Sequence, residues 1–246
     1  MKLVHSVDTD RYKIERKKVD FGNDDFKFLW TGDQSTRKNL PAVLRAFHAE
    51  FDPSEPVSLV IKMNSSSCSP EELLNEIGRI TEKIKKDLRL YPETNMYKPE
   101  IIIADYISDD SMMDLYNSIN CLVNTSMGEG WSFQVHDAIG MGKYPLSVNY
   151  GGPKDQIGLR QDVGNLLHFT ESPCTGEFMT FNGLFTGHST WCSVDISELM
   201  KKMRLAYRNL SGDSFFKRQM IELSKEKVEE YNYQNVGNKI LDLLEE

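Results

Sequence analysis

The sequence predicts an α/β fold: a doubly wound parallel sheet of about six strands. Three observations predict it. Apolar runs of strand length begin near residues 26, 57, 100, 119, 144 and 165, and segments of helical periodicity separate them. The runs are continuously apolar rather than alternating, as in strands buried on both faces. A glycine-rich turn, Gly128-Glu129-Gly130, joins one run to the next helix, where an open parallel sheet presents its ligand crevice.

Residues 1–25 form a leading segment that ends in a polar loop, Asp20 to Asp25. Phe26 to Thr31 is the first strand. Gly32 to Asn39 is a loop containing the Arg37-Lys38 pair, which by itself suits a solvated turn. Leu40 to Phe51 is an amphipathic helix, because Leu40, Val43, Leu44 and Phe47 repeat at i, i+3, i+4, i+7 and Pro41 suits a first turn. Val57 to Met63 is a strand, with Lys62 near its end either an edge charge or directed at a ligand. Ser69-Pro70-Glu71-Glu72 starts a helix that runs to about Leu88: a cap, proline first, glutamate third. Glu100 to Ala104 is a buried strand, Asp105 to Asp109 a loop and Asp110 to Ser118 a short helix.

Ile119 to Pro153 organises the chain. A strand, Ile119 to Val123, leads through the glycine turn into a helix of about Ser132 to Met141. Gly142 closes that helix as a left-handed C′ residue. Tyr144 to Val148 is the next strand, and Gly151-Gly152-Pro153 the next turn. Asn165 to Phe169 is the last strand, in which His168 suits a structural place. Residues 170–194 carry no readable period. They are too apolar to stay free (Phe178, Met179, Phe181, Leu184, Phe185, Trp191), so they pack over the core or at a partner. Residues 195–246 form C-terminal helices, Asp195 to Asn209, Ser214 to Tyr231 and Asn235 to Leu244. The last offers Val236, Ile240, Leu243 and Leu244 as an apolar face. Residues 1–246 read as a single domain.

A net charge of -8 excludes a general nucleic-acid footprint and a broadly basic membrane surface, while leaving room for a local basic face. Cys68, Cys121, Cys174 and Cys192 are scattered, with no C-x-x-C pair, so they suggest neither a metal site nor a disulfide framework. No apolar run approaches 18 residues and no signal peptide is evident, so no transmembrane helix is expected. Reduced cysteines and the missing signal suggest a cytoplasmic protein.

The chemistry concentrates at the glycine turn. Gly128 and Gly130 let a ligand approach the backbone. The helix start beyond them offers free N–H groups and partial positive charge, which suits a diphosphate. Glu129 and Asp137 stand eight residues apart, at the loop and about two turns down the helix, where acids can accept hydrogen bonds from sugar hydroxyls.

Glu129-Gly130-Trp131-Ser132-Phe133, followed by Asp137-Ala138, Gly140, Gly142-Lys143 and Gly151-Gly152, resembles the E-x7-E signature of retaining GT-B glycosyltransferases. That family usually reads E-G-F-G-x-x-x-x-E-A-x-A-x-G-x-P. Here Asp137 replaces the second glutamate, shorter by one methylene, Trp131 the usual phenylalanine and Ser132 a glycine. His5-Ser6-Val7-Asp8 and Tyr12 match the family's entrance to its C-terminal domain, so Asp8-Thr9-Asp10 does not suit the D-x-D metal motif of the other large glycosyltransferase class. The resemblance spans about Val7 to Leu244 and covers one half of the family's two-domain architecture, the Rossmann-like C-terminal donor half.

The resemblance implies a nucleotide-diphosphate sugar as substrate, with no metal and no other cofactor. It implies donor contacts from Arg37 and Lys38 to phosphates, although Asp33 stands where the family has its arginine. Backbone N–H groups over Gly130, Trp131, Ser132 and Phe133 would also meet the diphosphate, Ile107 with Tyr106 would meet the base, and Asp137 the ribose. Glu129 would face the transferred hexose as donor-binding and catalytic residue. A glycosyltransferase of this kind would be incomplete alone and would need an acceptor domain, on a partner chain or in a further part of the protein. The alternative is a non-catalytic module of the same fold that stabilises a partner glycosyltransferase. A dinucleotide-binding domain is disfavoured, because no G-x-G-x-x-G follows the first strand.

Overall fold

The computed structural model describes residues 4–174 and 186–245. Six strands, β1 Phe26–Asp33, β2 Val57–Asn64, β3 Ile101–Ile103, β4 Cys121–Asn124, β5 Tyr144–Val148 and β6 Asn165–Leu167, form one sheet in the order β3-β2-β1-β4-β5-β6. Every pairing in it is parallel. Crossover helices connect consecutive strands: α1 Leu40–Glu50, α2 Pro70–Leu88, α3 Asp109–Ser118, α4 Phe133–Gly140 and α5 Gly151–Ile157. α6 Ile196–Leu210, α7 Phe215–Glu229 and α8 Tyr233–Glu245 follow the sheet. The strand order reverses between β1 and β4, so the loops leaving their carboxyl ends diverge and open a crevice. This is the Rossmann-like fold that the strand pattern predicts.

Burial explains the unbroken apolar strands. Phe28 and Trp30 of β1 face a core with α1, α2 and α6, while Leu29 faces a second core with α3 and α4. Leu59 and Ile61 divide from Val60 in the same way, as do Cys121 and Val123 from Leu122. Each large side chain so buried contributes roughly 1.5–3 kcal/mol.

Local chemistry sets the element ends. The Ser69–Glu72 capping box forms at the start of α2. Gly142 closes α4 at φ +63°. Pro153 falls within the first turn of α5, so the glycine pair expected as a turn also begins a helix. Asp8 caps the turn Thr9–Tyr12, and Asp10 pairs with Lys13 at 2.8 Å.

The C-terminal end of the sheet differs from expectation. Asn165 to Phe169 is not one strand. The N–H of His168 turns away to the Glu198 carboxylate (2.6 Å), and its carbonyl accepts from Asp195 N (3.2 Å). β6 therefore stops at Leu167. β7 Phe169–Pro173 then pairs antiparallel with β8 Thr190–Val194 in a separate two-stranded sheet. These strands lie in the stretch that carries no readable period, because β7 is mostly exposed and polar. Phe178, Met179, Phe181, Leu184 and Phe185 lie outside the described residues, so their expected packing does too. Among the described residues, no helix is long and apolar enough to cross a membrane.

Ahead of β3, at the sheet edge away from the crevice, the buried carboxylate of Glu100 hydrogen-bonds to His48 of α1 and meets Lys85 of α2 at 3.0 Å. Burial alone would push this carboxyl up. The His48 bond and the nearby Lys85 ammonium outweigh it, and Glu100 titrates below the ordinary glutamate range. Glu100→Ala leaves Lys85 buried without its counter-charge, and urea unfolding is expected to show a loss of about 3 kcal/mol. A loss below about 1 kcal/mol, the value of an exposed pair, would show that the cluster does not anchor α1 and α2.

Candidate functional site

Loops from the carboxyl ends of β1, β4 and β5 meet β8 around a cleft of about 990 Å³. Buried Thr125 stitches the first two together. Its hydroxyl accepts from Trp30 Nε1 (3.1 Å) and donates to the Asn39 carbonyl (2.9 Å). Met127 N donates to Arg37 O at 2.8 Å. Asn39 then takes φ +55° to turn the chain from the Thr36–Lys38 turn into α1, a conformation Asn tolerates better than most residues.

The third loop lies backbone to backbone against the second. Gly152 N donates to Glu129 O at 3.1 Å. Gly151 sits at φ +62°, and a Cβ there would stand 2.1 Å from Glu129 O; one at Gly152 would stand 2.6 Å from Gly130 O. The two glycines of the turn serve different ends. A Cβ at Gly128 would meet the Trp191 ring at 2.8 Å, whereas one at Gly130 would point into open space. Gly128 makes room for β8, and Gly130 leaves its backbone approachable.

Charge gathers on Glu129. Its Oε1 lies 2.5 Å from Lys38 Nζ and 3.2 Å from Arg37 Nη1, and its side chain is only 12% exposed. Arg37 also donates to Gly128 O (2.7 Å) and stands 4.0 Å from Asp33. Burial would raise the Asp33 carboxyl, but hydrogen bonds from Ser35 and the two cations hold it below the usual range. At an effective dielectric of 20 each Glu129 contact is worth on the order of 5 kcal/mol, set against several kcal/mol to desolvate each ion. The cluster is therefore close to balanced, and its cations can exchange partners with an incoming anion of higher charge.

The structure brings Arg37, Lys38, Glu129 and Gly130 together. It does not bring the other candidates to the cleft. Ser132 is buried as the N-cap of α4; its hydroxyl accepts from Val135 N (3.3 Å) and its carbonyl from Gln156 Nε2 (3.0 Å). Trp131 stacks on His5 and meets Tyr231 edge-on, and Phe133 meets His5, so both rings face the leading segment. Ile107 packs partly buried against the core beneath α3 and α4, and neighbouring Tyr106 is exposed. Lys62 is buried, with Nζ 3.3 Å from Met63 O, and burial pushes its pKa down.

Asp137 follows Phe133 by four residues and shares its helix face, so it too meets the leading segment. Tyr12 lies over Gly140, where a Cβ would come within 2.7 Å of the ring, and its hydroxyl donates to Asp137 at 2.6 Å. Burial pushes the Asp137 carboxyl up to about 6, against the opposing effect of the Tyr12 bond. Beside it, His136 is pushed down to about 4 by burial.

Other residues line the cleft without an early sequence signal. Asn149, Tyr150, Lys154 and Asp155 follow β5, Phe169 begins β7, and Trp191 belongs to β8. The first four stand at the carboxyl end of a predicted strand, the criterion that also selects Glu129. Trp191 arrives through the hairpin that shows no period.

No family model matches the sequence, and no curated protein matches it. Solved structures match in fold. A glycosyltransferase from Rickettsia africae ESF-5 aligns with a TM-score of 0.65 at 12% identity, over 98% of this chain and 55% of that one. Anabaena Alr3699/HepE, in complex with UDP, aligns at 0.61 and 11% identity, over 99% of this chain and 56% of that one. The C-terminal domain of a glycosyl transferase group 1 family protein (LpcC) from Francisella tularensis aligns at 0.63 and 12% identity, over 92% of this chain and 99% of that one. The chain thus spans about half the length of the first two and nearly all of the third.

Asp137 makes stability depend on pH. Its folded pKa, about 6, lies above its ordinary 3.8, so the folded state holds the proton more tightly. Its stabilising contribution is complete below pH 4 and is lost as pH rises from about 4 to 6, at a cost of about 3 kcal/mol by pH 7. Asp137→Asn keeps an acceptor for Tyr12 and removes the charge. Relative to the parent, this variant is expected to be more stable at pH 7 than at pH 4 by that amount, measured as the change in urea unfolding free energy. The same difference at both pH values would show that Asp137 is not shifted.

Proposed function

We propose that this chain is the nucleotide-sugar-binding domain of a retaining GT-B glycosyltransferase. The convergence of Arg37, Glu129 and the bare backbone of Gly130 on one cleft, with Lys38 paired to Glu129 at 2.5 Å, carries the proposal. The E-x7-E-like spacing and the fold shared with glycosyltransferases support it; one of these holds UDP. Arg37 and Lys38 receive the diphosphate with the amides leading into α4. A diphosphate brings more charge than one carboxylate, so it displaces Glu129 from the cations. The freed carboxylate then faces the hexose. As the bond from the sugar to the diphosphate breaks, the cations are already placed where negative charge grows, where preorganised electrostatics contribute most. They supply this positive charge without a metal.

Asp137 takes the ribose once Tyr12 yields it, and the backbone at Tyr106 and Ile107 meets the base. The acceptor is held by a separate domain or chain, and the four free cysteines suit a cytoplasmic setting. The alternative is a non-catalytic module that stabilises a partner glycosyltransferase. Two observations favour it: the family's arginine position holds Asp33, and Tyr12 already occupies Asp137.

Calorimetric titration of the chain with UDP, GDP and ADP tests the proposal. One nucleotide is expected to bind, and Lys38→Ala to weaken it at least tenfold, about 1.4 kcal/mol. Unchanged affinity in that variant would remove Lys38 from the phosphate site. Silence with all three nucleotides would support the non-catalytic module.

A further inference from the structure

Gly151 and Gly152 bring the start of α5 against the peptide of Glu129, where Gly152 N donates to Glu129 O at 3.1 Å. Lys154 follows two residues later in the same short helix. Gly152, Pro153, Gln156 and Ile157 are buried, and Lys154 is left exposed. Of the described residues that line the Glu129 cleft, two are cations, Arg37 and Lys154.

Their situations differ. Arg37 is engaged by Glu129, by the Gly128 carbonyl and by Asp33. The Lys154 ammonium has no ion pair and no hydrogen bond among the described residues. Asp155, the next residue, is engaged with a partner of its own. Lys154 is therefore the cation of the cleft that is not already committed.

Glu129 needs such a cation at one moment. Its side chain is largely buried, and Lys38 and Arg37 both hold its Oε1. A diphosphate that takes those two cations strips the carboxylate of its partners. Breaking a buried pair in this way leaves an uncompensated charge, which is strongly unfavourable. That penalty would be subtracted from nucleotide affinity unless another cation received the carboxylate. Lys154 meets the requirement. It lines the same cleft as Glu129, its ammonium sits on a flexible four-carbon stem, and its helix begins at the glycines already bonded to the Glu129 backbone.

On the reading of the cleft as a nucleotide-sugar site, on which this rests, we propose that Lys154 is a positioning residue that receives the Glu129 carboxylate when a diphosphate draws Lys38 and Arg37 away. Lys154 does not touch the diphosphate; it acts through Glu129. The exchange keeps every charge paired, with the phosphates on Lys38 and Arg37 and the carboxylate on Lys154. It also fixes the direction in which the freed carboxylate meets the transferred sugar.

Calorimetric titration with UDP, or with GDP or ADP where the parent selects one of those, tests the exchange. The chains compared are the parent, Lys154→Met, Glu129→Gln and the double variant. Lys154→Met removes the charge of an exposed side chain and spares the fold. It is expected to weaken the nucleotide at least fivefold in the parent, but less than twofold in the Glu129→Gln background, where there is no carboxylate to receive. Lys154→Arg keeps the charge and is expected to stay within about twofold of the parent. A loss that persists in the Glu129→Gln background would place Lys154 on the phosphates themselves and overturn the proposal. Unchanged affinity in Lys154→Met would overturn it too, while leaving the nucleotide site in place. A parent that binds none of the three nucleotides would remove the reading beneath the proposal, and the proposal with it, so the two failures are told apart.

Discussion

The contact between the peptide of Glu129 and the glycines after β5 governs the rest of the site. Two loops leave adjacent parallel strands and lie one on the other, with no side chain between them at Gly151 and Gly152. That approach fixes the Glu129 backbone, and through it the direction of a carboxylate toward Lys38 and Arg37. The β1 loop is held from the other side by Thr125 and by the Met127–Arg37 hydrogen bond. Rigid strands therefore set the positions of the charges, and the loops carry them without long flexible spans.

The molecule keeps its ionisable groups under two regimes. At the far edge of the sheet, Glu100 is buried with Lys85 and His48 and serves packing. At the crevice, Lys38, Arg37 and Glu129 are balanced against one another; outside it, beneath Tyr12 of the leading segment, Asp137 is held in an environment that disfavours its charge. A buried carboxylate that titrates near neutrality opposes stability at pH 7, and such groups concentrate where a protein binds or reacts. The Tyr12 hydroxyl eases this cost and also covers the carboxylate.

The sheet was legible because its strands are buried on both faces, which leaves an unbroken apolar signal in β1, β2 and β4. Helix starts were legible where capping chemistry is local, as at Ser69. The cleft was legible in part. Arg37, Lys38 and Glu129 announce themselves by charge beside a glycine turn at strand ends. The faces of Trp131, Phe133 and Asp137 did not, because the side of α4 they occupy depends on a leading segment more than a hundred residues away in sequence. The β7–β8 hairpin left no trace, since an exposed strand such as FTESP lacks the apolar period that marks a half-buried one. Trp191 was visible as an aromatic residue, but its partner was not.

That partner has a wider consequence. The indole of Trp191 fills the space a side chain at position 128 would need, and the backbone of Cys192 donates to Met127 O beside it at 2.9 Å. The volumes at 128 and 191 are thus one quantity divided between two positions far apart in the chain. Evolution could enlarge the first only by shrinking the second. A lineage that replaced the indole would gain freedom at the glycine and lose the strut behind the loop that carries Glu129.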